Sequence, residues 1–115
     1  MKASAIIVAA GSGVRLGSNV PKAFVKIAGR TMLSYSLATV RQINSIEELE
    51  LVITVPEGFE NAARAEVAAA GLSIPVKITV GGIERQDSVR IALELTSAES
   101  ELVIVHDAAR PLATP

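Results

Sequence analysis

Residues 9–24, AAGSGVRLGSNVPKAF, set three glycines, two basic side chains and a proline directly behind the apolar run AIIVAA of residues 5–10. A β-branched run followed by such a loop reads as a strand that stops abruptly. The rest of the chain repeats the alternation. Strands are expected at 4–10, 50–55 (ELVITV), 74–80 (IPVKITV) and 101–105 (ELVIV), each short and mostly apolar. Between them, Leu33, Leu37 and Val40 mark a helix face with Thr31 as its cap. Phe59, Ala63, Val67 and Ala70 mark a second helix, closed by Gly71, and Val89, Ala92 and Leu93 mark a third. Near-continuous apolar strands joined by helices predict a mostly parallel sheet covered on both faces, an α/β domain with right-handed crossovers.

Composition narrows the function classes. The 115 residues are 50% hydrophobic, enough for one core, and carry 11 basic against 12 acidic side chains, mixed along the chain. No broad basic surface for nucleic acid is expected. Cysteine is absent, which excludes disulfides, thiolate metal sites and cysteine nucleophiles. The first apolar run is too short for a membrane span and lacks the pattern of an export signal, so no membrane association and a cytoplasmic location are expected. The fourth strand is as apolar as an interior strand, and RPLATP follows it without a helix. Residues 1–115 are therefore expected to be part of a single domain, truncated after Pro115.

In a parallel sheet the loops that follow the strands gather at one edge, where ligands bind. The loop after the first strand offers Ala10, Gly11, Ser12 and Gly13 as a backbone cradle for an anion; Arg15 adds a charged fork, and Lys22, held by Pro21, adds an ammonium. Phosphate is the expected occupant. After Gly13 the next glycine is Gly17, so the spacing fits neither the dinucleotide fingerprint nor the P-loop. After the third strand, GGIERQDSV (81–89) opens the same edge: Gly82 and Ser88 can read a base, Arg85 can meet a phosphate or brace the loop, and Arg85 and Ser88 are expected to share the exposed face of the helix start. Asp107 is expected just past the fourth strand. A carboxylate beside phosphates is unfavourable unless a cation lies between them, which makes Mg²⁺ the economical cofactor. Arg110 is expected to brace that turn, and His106 to serve as a structural hydrogen-bonding group rather than an acid or base.

Together AAGSGVRLG, PKAF, GGIERQDSV and HDAARP resemble the 2-C-methyl-D-erythritol 4-phosphate cytidylyltransferase family over essentially the whole chain, as the N-terminal half of its catalytic domain. The resemblance implies a Rossmann-like, three-layer nucleotidyltransferase fold. It implies Mg²⁺-dependent cytidylyl transfer from CTP to 2-C-methyl-D-erythritol 4-phosphate, releasing pyrophosphate, in non-mevalonate isoprenoid precursor synthesis. It makes Arg15 and Lys22 the catalytic cations, Ala10, Gly11, Ser12 and Gly13 the cradle, Gly82 and Ser88 the cytosine contacts with Arg85 in support, and Asp107 a magnesium ligand. It also implies that the rest of the acceptor site, a second metal-binding aspartate, a late lysine and the arm of a homodimer lie outside residues 1–115. Two positions depart from the family pattern: Ala23 stands where a glutamine is frequent, and Ile83 where an aspartate is common. Cytidylyl transfer to another polyol phosphate, such as ribitol 5-phosphate, and a nonenzymatic nucleotide-binding module remain the alternatives.

Overall fold

The computed structural model describes residues 2–10, 21–43 and 46–108. Four parallel strands form its centre: β1 (Lys2–Val8), β4 (Glu48–Val55), β5 (Val76–Val80) and β6 (Leu102–Asp107), in the order β5-β4-β1-β6. A two-stranded antiparallel hairpin, β2 (Lys26–Ile27) and β3 (Arg30–Thr31), precedes helix α1 (Met32–Arg41). Helix α2 (Glu60–Ala70) joins β4 to β5, and α3 (Arg85–Leu95) joins β5 to β6.

The expected α/β architecture is present, with shifted boundaries. β1 starts and ends earlier than residues 4–10: Ala9 and Ala10 leave the ladder, although the Ala9 N–H still donates to the Thr54 carbonyl at 2.8 Å. β4 begins at Glu48 because Lys2 and Glu48 already pair in register. β6 runs two residues beyond 105, so Asp107 is the last strand residue, opposite Val8, rather than a residue past the strand. The hairpin was not expected. Ala28 (φ 55°) and Gly29 (φ 83°) both take positive φ, the conformation of a two-residue hairpin turn.

Helix ends follow local chemistry. The Thr31 hydroxyl accepts the Ser34 N–H at 3.1 Å, and Gly71 closes α2 with φ 68°. At α3 the cap is Glu84, whose side chain accepts the N–H of Asp87 while Asp87 accepts that of Glu84 at 3.3 Å.

Strand alternation sorts the sheet into two faces. Ala3, Ala5, Ile7, Leu49, Leu51, Ile53 and Val55 are buried in one core with Leu33, Leu37 and Val40 of α1 and Ala63 of α2. Ile6, Val8 and Val52 face Ala92 of α3 on the other side. The result is three layers. Helix α3 packs over β1 and β4, whereas Leu102, Val103 and Val105 of β6 remain 37–42% exposed.

A polar cluster lies at the amino-terminal edge of the sheet. Glu50 is 9% exposed and accepts hydrogen bonds from the Ser4 hydroxyl at 2.5 Å and the Ser97 N–H at 2.6 Å. The Ser100 hydroxyl, 2.6 Å from Ser4 Oγ, then donates to it. Burial by itself raises the Glu50 pKa; the bonds from Ser4 and Ser97, with the charges of Lys77 and Lys2, outweigh burial and hold the carboxyl below its ordinary value. A depressed folded-state pKa contributes stability that is present above the unfolded pKa and is lost as pH falls through the folded one. Glu50→Gln is expected to cost about 2 kcal/mol at neutral pH, with the difference from the parent shrinking below the ordinary carboxylate range. Urea unfolding of both proteins across that range checks this, and a pH-independent difference would contradict the assignment.

Candidate functional site

The strand order fixes where a ligand can enter. From β1 the chain moves outward through β4 to β5, then returns through α3 to place β6 on the other side of β1. The order reverses between β1 and β6, and in open parallel sheets ligands enter at the carboxyl ends of the strands at such a reversal, here where Val8 and Asp107 are paired. Asp107 shares the α3 face of the sheet with Val8. Arg85, the first residue of α3, places Nε 3.6 Å from Asp107 Oδ2. Both groups keep solvent access, with 56% and 34% of their side chains exposed.

The Gly81–Gly82 turn lies beside this pair. Gly81 donates to the Val55 carbonyl at 2.9 Å, which carries the chain one residue past β5 along the sheet edge. Packing here requires glycine: a Cβ on Gly81 would overlap Ala10 Cβ and stand 2.5 Å from Ser88 Oγ, and one on Gly82 would overlap Asp87 Cβ. The start of the first loop and the GG turn are thus in direct contact. Ser88 is 1% exposed. Its hydroxyl accepts the Gly82 N–H at 3.1 Å and lies 3.4 Å from the Gly82 carbonyl. This corrects the expectation that Arg85 and Ser88 share an exposed face: Ser88 turns inward beneath the GG turn and holds it, while Arg85 points toward Asp107. Ile83 is 87% exposed, so its side chain contributes no packing to the turn.

On the other face the PKAF segment forms a single 3₁₀ turn, Lys22–Phe24. Pro21, Ala23 and Phe24 are buried, and Phe24 stacks on Phe59 with ring centroids 5.0 Å apart. Phe59 follows β4, so this anchor lies on the carboxyl side of the sheet and presents exposed Lys22 there. Ala23 is a 4%-exposed core residue. His106 faces away from Asp107: its Nε2 lies 3.0 Å from Oγ of Ser36, a fully buried residue of α1. Burial lowers its pKa, only partly offset by the Asp107 charge, so the ring is held neutral as a link between β6 and α1. Gly11, Ser12, Gly13, Arg15 and Arg110 lie outside the described residues.

Among the described residues no three His, Cys, Asp or Glu side chains gather as a metal cage. Asp107 offers one hard carboxylate at this sheet edge, the donor type that Mg²⁺ takes when phosphates and water complete its shell. Also among the described residues, no helix is long and apolar enough to cross a membrane.

The family model for IspD, 2-C-methyl-D-erythritol 4-phosphate cytidylyltransferase, matches residues 3–115. The chain belongs to this family. It is 41% identical over 116 residues to the 2-C-methyl-D-erythritol 4-phosphate cytidylyltransferase of Cereibacter sphaeroides, covering 100% of this chain and 50% of that protein. To the bifunctional enzyme IspD/IspF of Tropheryma whipplei it is 38% identical, covering 100% of this chain and 27% of the relative. The crystal structure of 4-diphosphocytidyl-2C-methyl-D-erythritol synthase from Anaerococcus prevotii superposes with a TM-score of 0.76 at 30% identity, over 98% of this chain and 46% of that one. The chain therefore spans about half the length of the single-function cytidylyltransferases it matches and about a quarter of the bifunctional ones. Membership accords with the Rossmann-like, three-layer fold. Two features of the site were not read from the sequence: the Ala10–Gly81 contact, which depends on neighbouring loops meeting, and Thr54, a polar residue near the end of an otherwise apolar strand.

Proposed function

We propose that these residues form the CTP-binding part of a cytidylyltransferase that transfers a cytidylyl group to 2-C-methyl-D-erythritol 4-phosphate, within a catalytic domain that in the whole protein also supplies the acceptor pocket and a homodimer arm. An oxygen of the acceptor phosphate attacks the α-phosphorus of CTP, the bond to the β-phosphate breaks, and pyrophosphate leaves. The acceptor already carries its nucleophile as an anion, so the protein's task is positioning and charge neutralisation. Ala10, Gly11, Ser12 and Gly13 receive the phosphates, Arg15 and Lys22 offset the charge that accumulates at the α-phosphorus, and Gly82 offers its N–H to the base. Ser88 fixes that N–H from below, and Arg85 steadies Asp107. Mg²⁺, held by Asp107 when bound, would neutralise the triphosphate. Pro21 and Arg110 support the two loops, and neutral His106 ties β6 to α1.

One observation carries this reading: at the reversal point of the sheet, Ala10 touches Gly81, Ser88 holds Gly82, and Arg85 meets Asp107. A base read by backbone and hydroxyl groups is discriminated by hydrogen-bond pattern. CTP is expected to bind at least about 30-fold more tightly than ATP or GTP, roughly 2 kcal/mol. Competition of the three nucleotides for the protein in Mg²⁺ measures this, and equal affinities would remove the base-reading role of the GG turn.

A further inference from the structure

One buried polar side-chain atom among the described residues has no hydrogen-bond partner: Thr54 Oγ1. Thr54 is fully buried, the penultimate residue of β4, and shares the α3 face with Val52. It lies directly under the GG turn. The position that a Gly81 Cβ would occupy is 3.1 Å from Thr54 Cβ and 2.5 Å from Ser88 Oγ, so the two hydroxyl-bearing residues flank the same glycine. In this state Ser88 is committed to Gly82, accepting its N–H at 3.1 Å and facing its carbonyl at 3.4 Å.

A buried hydroxyl without a partner is unfavourable, whereas a valine of the same shape leaves nothing unpaired. The position is therefore suboptimal for the free protein. We infer that Thr54 is a positioning residue of the nucleotide site, a reserve hydrogen-bond partner for Ser88 that is taken up when a ligand carbonyl draws on the Gly82 N–H. The ligand's acceptor takes that N–H from Ser88 Oγ, which is then no longer held toward Gly82 and turns about χ1 to accept the Thr54 hydroxyl proton on one of its two lone pairs. Ser88 keeps its own proton for the Gly82 carbonyl or for the ligand. Each buried hydroxyl ends with a partner, and the cost of an unpaired Thr54 is relieved by binding. The inference rests on the CTP reading above and deepens it.

The test uses two variants of the chain, Thr54→Val and Thr54→Ser, with two readouts: thermal unfolding without ligand, and CTP affinity in Mg²⁺ by calorimetry. Thr54→Val is expected to raise the unfolding midpoint by about 4 °C while weakening CTP binding about tenfold. Thr54→Ser, which keeps the hydroxyl, is expected to restore affinity to within about threefold of the parent. A merely structural threonine would not move stability and affinity in opposite directions. CTP affinity unchanged in Thr54→Val, or a midpoint that does not rise, overturns the inference while the parent's own binding sustains the CTP reading. A parent that fails to bind CTP overturns both.

Discussion

Asp107→Asn is expected to abolish the stimulation of CTP binding by Mg²⁺, weakening affinity at saturating metal by about 100-fold, within the several kcal/mol that a divalent ion supplies at phosphate oxygens. The substitution keeps the shape of the side chain and removes its charge. The Arg85 contact is 3.6 Å long and solvent-accessible on both sides, and such pairs contribute about 0–1 kcal/mol, so its loss costs the fold little. Without metal the sign differs. A carboxylate next to a triphosphate repels it, so metal-free CTP should bind Asp107→Asn at least as well as the parent, helped by an Arg85 guanidinium no longer facing an anion. Titration of CTP into both proteins, with Mg²⁺ and with a chelator, separates these effects. The same Mg²⁺ dependence in the two proteins would take Asp107 out of the metal role.

The second large effect concerns β6. Among the described residues β6 pairs with β1 on one side only, and Val103 and Val105 lie on the α3 face of the sheet, which α3 covers over β1 and β4. Their exposures of 37% and 38%, with 42% for Leu102, leave apolar side chains open on a strand at the edge of the described sheet, the arrangement that promotes edge-to-edge pairing. The chain is expected to self-associate at micromolar concentration, and Val103→Lys combined with Val105→Lys to return it to a monomer. Lysines on a half-exposed face cost little burial, and they discourage strand pairing by charge. Light scattering at matched concentrations reports the change as a fall in mass. A parent that is monomeric and monodisperse would show that the β6 edge is already protected.

How much of this was legible in the sequence depends on the range of the interactions involved. Local signals read well. Thr31 as a cap, Gly71 as a left-handed stop, and the apolar runs of β1, β4, β5 and β6 follow from backbone chemistry within a few residues. The hairpin at Lys26–Thr31 was missed because its strands are two residues long and carry no alternation; Ala28–Gly29 is its sole local mark. That Ala10, the Gly81–Gly82 turn and Asp107 meet at one sheet edge was legible once the strands were taken as parallel. The orientation of side chains within that edge was not. Spacing put Ser88 beside Arg85 on the helix, but whether Ser88 faced out or in was decided by Gly81, Ala10 and Thr54, which come from three different strand ends. The Thr54 hydroxyl had no sequence signal of its own, since threonine is an ordinary strand residue and only burial without a partner sets it apart.

The central claim is that a nucleotide and Mg²⁺ occupy the carboxyl edge of the sheet, between β1 and β6. Hydrogen–deuterium exchange of the chain, with and without CTP and Mg²⁺ at micromolar concentration, tests it most directly. Protection is predicted at the Ala9–Ala10 turn, across Gly81–Ser88 and at Asp107, with the Ser4, Glu50 and Ser97 cluster at the opposite edge unchanged. Protection confined to that opposite edge, or none at any segment, would contradict the account.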